Sequence, residues 1–298
     1  MTVDFDAPFS DTTARHALEL AGTRLGVATD NARLIRMGEN AIYALPHADV
    51  VARIARSEQR RARVEKELAV ARWLARHDFP AVRVAEQFEQ LIPADGRLIT
   101  FWQLVDIAGE PTEVELAALL RDFHTLPEPG FPLPTFDPFS AVPTRLANPG
   151  NADPAAVEFL TELYYTLRTR YAELELTSPH TVIHGDAHIN NVIPTPSGPI
   201  LSDFEAVARG PREWDLTTVA MTVDRFGLPR TTYQAFADTY GYDVTGIPGY
   251  PVLCAVRELT MVTWLMQIID VSPRHAQEFA HRVDSLRSGD QQQRWHIF

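Results

Sequence analysis

A chain of 298 residues, 45% hydrophobic and 22% charged, has the composition of a folded globular protein, and its length predicts two compact parts. Its 39 acidic against 27 basic side chains give a net charge of −12, the wrong sign for gripping a phosphate backbone, so nucleic acid is excluded as a general partner. A single cysteine, Cys254, excludes an intramolecular disulfide, the acidic start MTVDFDAPFS lacks a signal-peptide layout, and no apolar run approaches the ~20 residues of a membrane span, which together predict a cytoplasmic protein with no membrane partner.

Residues 11 to about 25 read as a helix, with Ser10 or Asp11 as N-cap. The short apolar runs ARLIRM, AIYAL and VVARIA, separated by GEN and HAD, predict an antiparallel meander. Ser57 is placed to cap the next helix, in which Val64, Leu68, Ala71 and Leu74 recur at helical spacing. VRVAEQFEQ and RLITFWQLV return to strand character, with Asp95-Gly96 as a hairpin turn. Beyond Val105 the pattern turns helical in TEVELAALLRDFHTL. A loop with seven prolines between Pro127 and Pro149 follows, which Phe131, Phe136 and Phe139 can anchor. A long helix is expected over about 154–175, then strand-like TVI, NVI and PILS, then helices to about Leu286. That order predicts an α+β chain, with a β-rich N-terminal domain over 1–104 and a mainly helical one over 105–298.

The segment TVIHGDAHINNVIPTPSGPILSDFEAVARGPREWDLT, 181–217, crowds carboxylates, histidines and asparagines between apolar runs. A loop between two strands can aim several side chains at one point. Asn191 lies five residues past Asp186, and Asp203 follows twelve later at the end of another strand-like run. Asn191 and Asp203 offer the oxygen donors that magnesium takes alongside phosphate and water. Asp186 is then free to orient a hydroxyl and accept its proton. Positioning and charge neutralisation of this kind is the logic of phosphoryl transfer.

His-x-Asp, four residues, Asn, and then Asp-Phe is the catalytic half of the protein-kinase plan. With glycine after the first histidine, HGDAHINN followed by DF carries every fixed position of H-G-D-x-H-x-x-N and D-[FLW]. In this the chain resembles the aminoglycoside phosphotransferase family, relatives of the choline and macrolide kinases. The resemblance implies a protein-kinase-like two-lobed fold, with a small β-rich N-lobe and a larger, mainly helical C-lobe. It implies a magnesium-dependent kinase that moves the γ-phosphate of ATP or GTP to a small-molecule hydroxyl, an antibiotic or secondary metabolite such as an aminoglycoside being the first expectation.

The resemblance also distributes roles. Asp186 would be the base, Asn191 and Asp203 the magnesium ligands, and His188 a donor to the transferring phosphate, while His184 and Asp215 would brace the loop. RMGENAIYAL would be the nucleotide-covering hairpin, with Gly38 and Asn40 at its tip. Arg53 stands in VVARIA where a lysine is usual, with Glu67 as its partner; an arginine fork can still hold two phosphate oxygens. ITFWQLVD matches the strand and hinge, with Phe101 lining the pocket and the backbone at Gln103 and Val105 pairing with the base. The resemblance spans roughly residues 20–290 and is specific between His184 and Leu216.

For the acceptor, Glu205 lies two past Asp203, and Arg257 and Glu258 interrupt the apolar helix LCAVRELTMVTWLMQIID. Buried charges are costly unless paired or used, so Glu258 with Trp264 and Gln267 could line a polar site, or Arg257 could simply form an ion pair. A chain at −12 suits a cationic acceptor, although macrolides, nucleoside antibiotics, choline-like alcohols and sugars fit the family equally. Two other readings stay open: a hydrolase whose metal is held by His184, Asp186 and His188, and a catalytically silent nucleotide-binding module, which Arg53 keeps alive. Only ten residues separate Asp203 from Trp214, too few for a protein-kinase activation segment, so a small molecule is preferred to a polypeptide. A monomer or homodimer is compatible with all of this.

Overall fold

The computed structural model describes residues 9–176 and 178–297. They form two compact units. The first is the chain up to Pro111 with Pro129–Leu133 and Asn190–Val207; the second is Thr112–Glu128, Pro134–Ile189 and the chain from Ala208 onward.

In the first unit, helix α1 (Asp11–Leu25) starts with a reciprocal cap. Ser10 Oγ accepts from the Thr13 N–H and Thr13 Oγ1 accepts from the Ser10 N–H, satisfying donors the helix itself leaves unpaired. Its buried face of Ala14, Ala17, Leu18 and Ala21 packs with Tyr43, Ile54, Ile99 and Phe101 of a five-stranded sheet. The strands are β1 (Arg33–Met37), β2 (Asn40–Leu45), β3 (Val50–Ala55), β4 (Ile92–Ala94) and β5 (Arg97–Gln103), in the order β1-β2-β3-β5-β4. Every pairing is antiparallel, as the meander predicts. Strands β4 and β5 join at Asp95 and Gly96, whose φ values of 49° and 70° are the two positive angles that a tight hairpin turn demands.

The strand expected over VRVAEQFEQ reduces to a bridge between Val84 and Trp102. Gln90 explains why. Its Nε2 donates to the Ala85 and Phe88 carbonyls and its Oε1 accepts from the Phe101 N–H, so one side chain takes the backbone groups that a ladder would have used. Ser57 caps a 3-10 turn, Glu58–Arg60, and helix α2 (Arg61–Arg76) begins behind it. The hairpin of β7 (Val192–Thr195) and β8 (Gly198–Leu201) belongs to this unit too. The Val82 N–H donates to Leu201 O (3.0 Å) and the Leu201 N–H to Pro80 O (2.9 Å), which ties the hairpin to the segment after α2.

The second unit is mainly helical: α3 (Glu113–Phe123), α4 (Val142–Ala147), α5 (Pro154–Ala172), α6 (Glu213–Arg225), α7 (Arg230–Tyr240), α8 (Tyr250–Met266) and α9 (Pro273–Ser288). Its one pair of strands, among the described residues, is β6 (Thr181–Ile183) antiparallel to β9 (Ala208–Gly210). Leu160 and Leu167 of α5, Leu253 and Leu259 of α8, and Phe279 of α9 share its core. Phe139 anchors the proline-rich loop there, and Phe136 packs its ring 5.0 Å from that of Trp214. By length and composition Tyr250–Val271 could cross a bilayer, which corrects the expectation that no run approaches that length. Here it is the core helix of the second unit, with both Arg257 and Glu258 buried in it.

Candidate active site

The HGD segment follows β6 directly. Gly185 takes φ 82°, a left-handed conformation that glycine adopts at no steric cost, and this turns the chain sharply between His184 and Asp186. The loop is held from the first turn of α6. Asp215, fully buried, accepts the His184 N–H at 2.7 Å on Oδ2 and the Gly185 N–H at 2.9 Å on Oδ1. His124 Nε2 lies 3.0 Å from Asp215 Oδ2, and its Nδ1 lies 2.8 Å from the Tyr240 hydroxyl. Trp214 donates its indole N–H to Gly185 O at 2.9 Å. Burial alone would raise the Asp215 carboxyl, but hydrogen bonding to His124 and the histidines nearby hold it below the usual range.

Asp186 differs from Asp215 in exposure: 52% of its side chain faces solvent. His188 Nε2 lies 3.5 Å from its Oδ2, and Arg257 Nη1, from α8, lies 3.6 Å from its Oδ1. Loss of water around the group would raise it, yet His188 and Arg257 outweigh that and hold it well below the ordinary carboxylate range. His184 is fully buried, its ring 6.3 Å from that of Phe123.

The first unit gathers a second set of groups around Arg53 on β3. Its guanidinium pairs with the buried Glu67 of α2 and with Glu205, and lies 3.9 Å from Asp203 Oδ1. Glu205 also pairs with Arg63 and accepts from Asn40 Nδ2 at 2.6 Å. Lys66 Nζ donates to the Glu205 and Val207 carbonyls at 2.7 and 2.8 Å, fixing the backbone beyond Asp203. Burial pushes the Glu67 carboxyl up to about 7 against the pull of Arg53, while the surrounding carboxylates, opposing burial, raise Arg53. Asp203 itself has φ 65°, left-handed backbone that aspartate tolerates better than most residues. Asn191 is buried, and its carbonyl accepts from the Ser202 N–H at 2.9 Å and from Ser202 Oγ at 3.0 Å. One amide and one carboxylate oxygen are the donor chemistry that magnesium accepts, with water and phosphate completing the shell.

Gly38 and Glu39 turn the β1–β2 hairpin, the Gly38 N–H donating to Asn40 O at 3.0 Å. Phe101 is fully buried, Gln103 exposed and Val105 half-buried; the Gln103 N–H donates to Arg83 O. Of the groups expected near an acceptor, Glu205 faces arginines, as above. Glu258 pairs with the buried Arg225 at 2.5 Å, Gln267 donates to the Arg145 and Asn148 carbonyls, and Trp264 is 45% exposed. Among the described residues no three His, Cys, Asp or Glu side chains gather as a metal-ligand set. Sequence reasoning singled out neither Lys66 and Arg63 nor Trp214 and His124. Arg257 was visible only as a charge in an apolar helix.

Solved structures with the same fold include the amicoumacin kinase hAmiN in complex with AMP-PNP, Ca2+ and Ami (TM-score 0.73, 13% identity, 97% of each chain covered). A choline/ethanolamine kinase family protein from Mesorhizobium loti superposes with a TM-score of 0.64 at 18% identity, covering 93% of this chain and 96% of that one. An aminoglycoside phosphotransferase from Streptomyces rimosus, in complex with ADP and streptomycin, gives 0.62 at 20% identity over 85% and 99%. At such identities the likeness speaks for the fold, the α+β protein-kinase-like fold that the motifs implied. No curated protein matches the chain. The sequence profile described as the phosphotransferase enzyme family (APH) matches residues 32–255, well over half of the chain, and the chain therefore belongs to that family.

Proposed function

We propose that this phosphotransferase moves the terminal phosphate of ATP or GTP to a hydroxyl of a small molecule, with an antibiotic or other secondary metabolite as the first candidate. One observation carries the reading. Buried side chains of α6 fix the HGD loop at the His184 N–H, the Gly185 N–H and the Gly185 carbonyl, while Asp186 keeps half its side chain open to solvent. A rigid loop presenting an ionised carboxylate is what orienting and deprotonating a hydroxyl requires.

Asp186 accepts the proton as the acceptor oxygen bonds to the γ-phosphorus and the bond to the β-phosphate oxygen breaks, leaving nucleoside diphosphate. His188 donates to the phosphoryl oxygens, and Arg53, backed by Glu67, offsets charge on the phosphates. Gly38 and Asn40 cover the phosphates; Phe101 and the backbone at Gln103 and Val105 receive the base. Asn191 and Asp203 would hold magnesium, which when bound neutralises phosphate charge. His184 and Asp215 support the loop. Glu205 and Glu258 already face arginines and serve better as counter-charges than as acceptor contacts, whereas exposed Trp264 offers the acceptor an aromatic face. A cationic acceptor suits the −12 chain, and the streptomycin complex of a relative in fold is consistent with one. A single cysteine fits work in a reducing compartment such as the cytoplasm, and the chain acts as a monomer or homodimer.

The test is a coupled assay of nucleoside-diphosphate release with magnesium and a panel of aminoglycosides, macrolides, nucleoside antibiotics and amino alcohols. A compound-dependent signal that Asp186→Asn loses is the expected result. Absence of any nucleotide binding by the wild type sinks the proposal.

A further inference from the structure

Arg257 is a buried cation in the middle of the core helix of the second unit, with its side chain 8% exposed. An arginine cannot shed its charge, so burying one is costly unless the charge is used. Its guanidinium lies 4.4 Å over the Trp214 ring, donates through Nη2 to Thr218 Oγ1, and carries Nη1 to 3.6 Å from Asp186 Oδ1. Trp214 is the same side chain whose indole N–H holds Gly185 O, one residue before Asp186. The aromatic ring and Thr218 thus set the fork, and the fork faces the carboxylate. At 3.6 Å the pair is longer than a hydrogen bond, so Arg257 acts on Asp186 through charge.

We propose that Arg257 is a positioning residue for phosphate transfer: stacked on Trp214 and tethered to Thr218, it fixes the ionised state and orientation of the Asp186 carboxylate from α8. This rests on the reading of Asp186 as the base. Among the described residues, the charged and titratable groups acting on Asp186 include His184 and His188 from its own loop and Arg257 from α8; Asp215, on α6, faces Arg257 in turn. Of these, Arg257 is the one whose charge no pH in the working range removes.

The experiment follows the Asp186 carboxyl by carbon-13 NMR in the full chain, its resonance assigned by its loss in Asp186→Asn. Arg257→Met and Arg257→Gln are compared with Arg257→Lys, and circular dichroism confirms folding. Arg257→Met and Arg257→Gln are expected to tighten proton binding at Asp186 at least tenfold, while Arg257→Lys restores most of the wild-type value. The Gln variant keeps a donor for Thr218 and covers failure of the Met variant to fold. Unchanged titration in a folded charge-removing variant overturns the proposal. So does an equal change in Arg257→Lys, which would mark the residue as packing alone. Calorimetry with magnesium and AMP-PNP or GMP-PNP is run on the same samples. A wild type that binds neither nucleotide would refute the kinase reading, while the NMR result would still decide whether Arg257 controls Asp186.

Discussion

Asp186 and Asp215 show how one residue type takes two duties from its surroundings. Asp186 is half exposed beside a histidine and an arginine; Asp215 is sealed and spends its oxygens on backbone donors. Asp186→Asn keeps the shape and removes the base, so turnover should fall by about 10²–10⁴-fold with nucleotide affinity unchanged, as steady-state rates and calorimetry would show. Asp215→Asn brings an amide N–H against backbone donors and should cost about 3 kcal/mol, read from urea unfolding. Because folding depresses the Asp215 carboxyl, its stabilisation is complete above the ordinary aspartate value of about 3.9 and drains away as pH falls through that value towards the folded one. Acid-unfolding curves of Asp215→Asn should therefore be flatter than wild type in that range. The positions of Asp186, His188, Asn191 and Asp203 were legible because their order and spacing form one pattern. Trp214, His124 and Arg257 were not, since each meets the loop only through tertiary packing from another helix.

At the level of elements, the sheet and helices were readable from alternation and from caps, with Ser10 and Asp95-Gly96 as the clearest markers. The segment 82–90 was not, because a single glutamine side chain substitutes for a strand partner. Nor could periodicity show that 190–207 joins the first unit, a placement fixed by backbone bonds to residues over a hundred positions earlier. That placement lets Arg53 bridge α2 and the segment after β8, through Glu67 and Glu205. A lysine ammonium is a point charge and does not reproduce a planar fork with a carboxylate on each arm. Arg53→Lys, although it introduces the residue usual in kinases, should lower the melting temperature and weaken nucleotide binding about tenfold. A double-mutant cycle with Glu205→Gln should report about 1–3 kcal/mol of coupling, measured by chemical denaturation.

For the whole molecule, nucleotide with magnesium should act as a stabiliser. At a hundred times its dissociation constant, AMP-PNP or GMP-PNP should add about 2.7 kcal/mol, a rise in melting temperature of ~5 °C that a chelator reverses. Should the acceptor prove cationic, its association rate should fall as salt rises, because the net charge of −12 steers it at a distance. The way the first unit is assembled bears on inheritance as well as on stability. Arg53 and its partner Glu205 belong to one compact body but lie 152 positions apart in the gene product, with the Thr112–Glu128 and Pro134–Ile189 segments of the second unit between them. A single recombination point between two relatives, placed anywhere in that interval, would pair one parent's arginine with the other parent's carboxylate. Chimeras that exchange the first unit intact therefore need five seams, one after Pro111 and one at each border of Pro129–Leu133 and of Asn190–Val207, and natural exchange among these enzymes faces the same constraint.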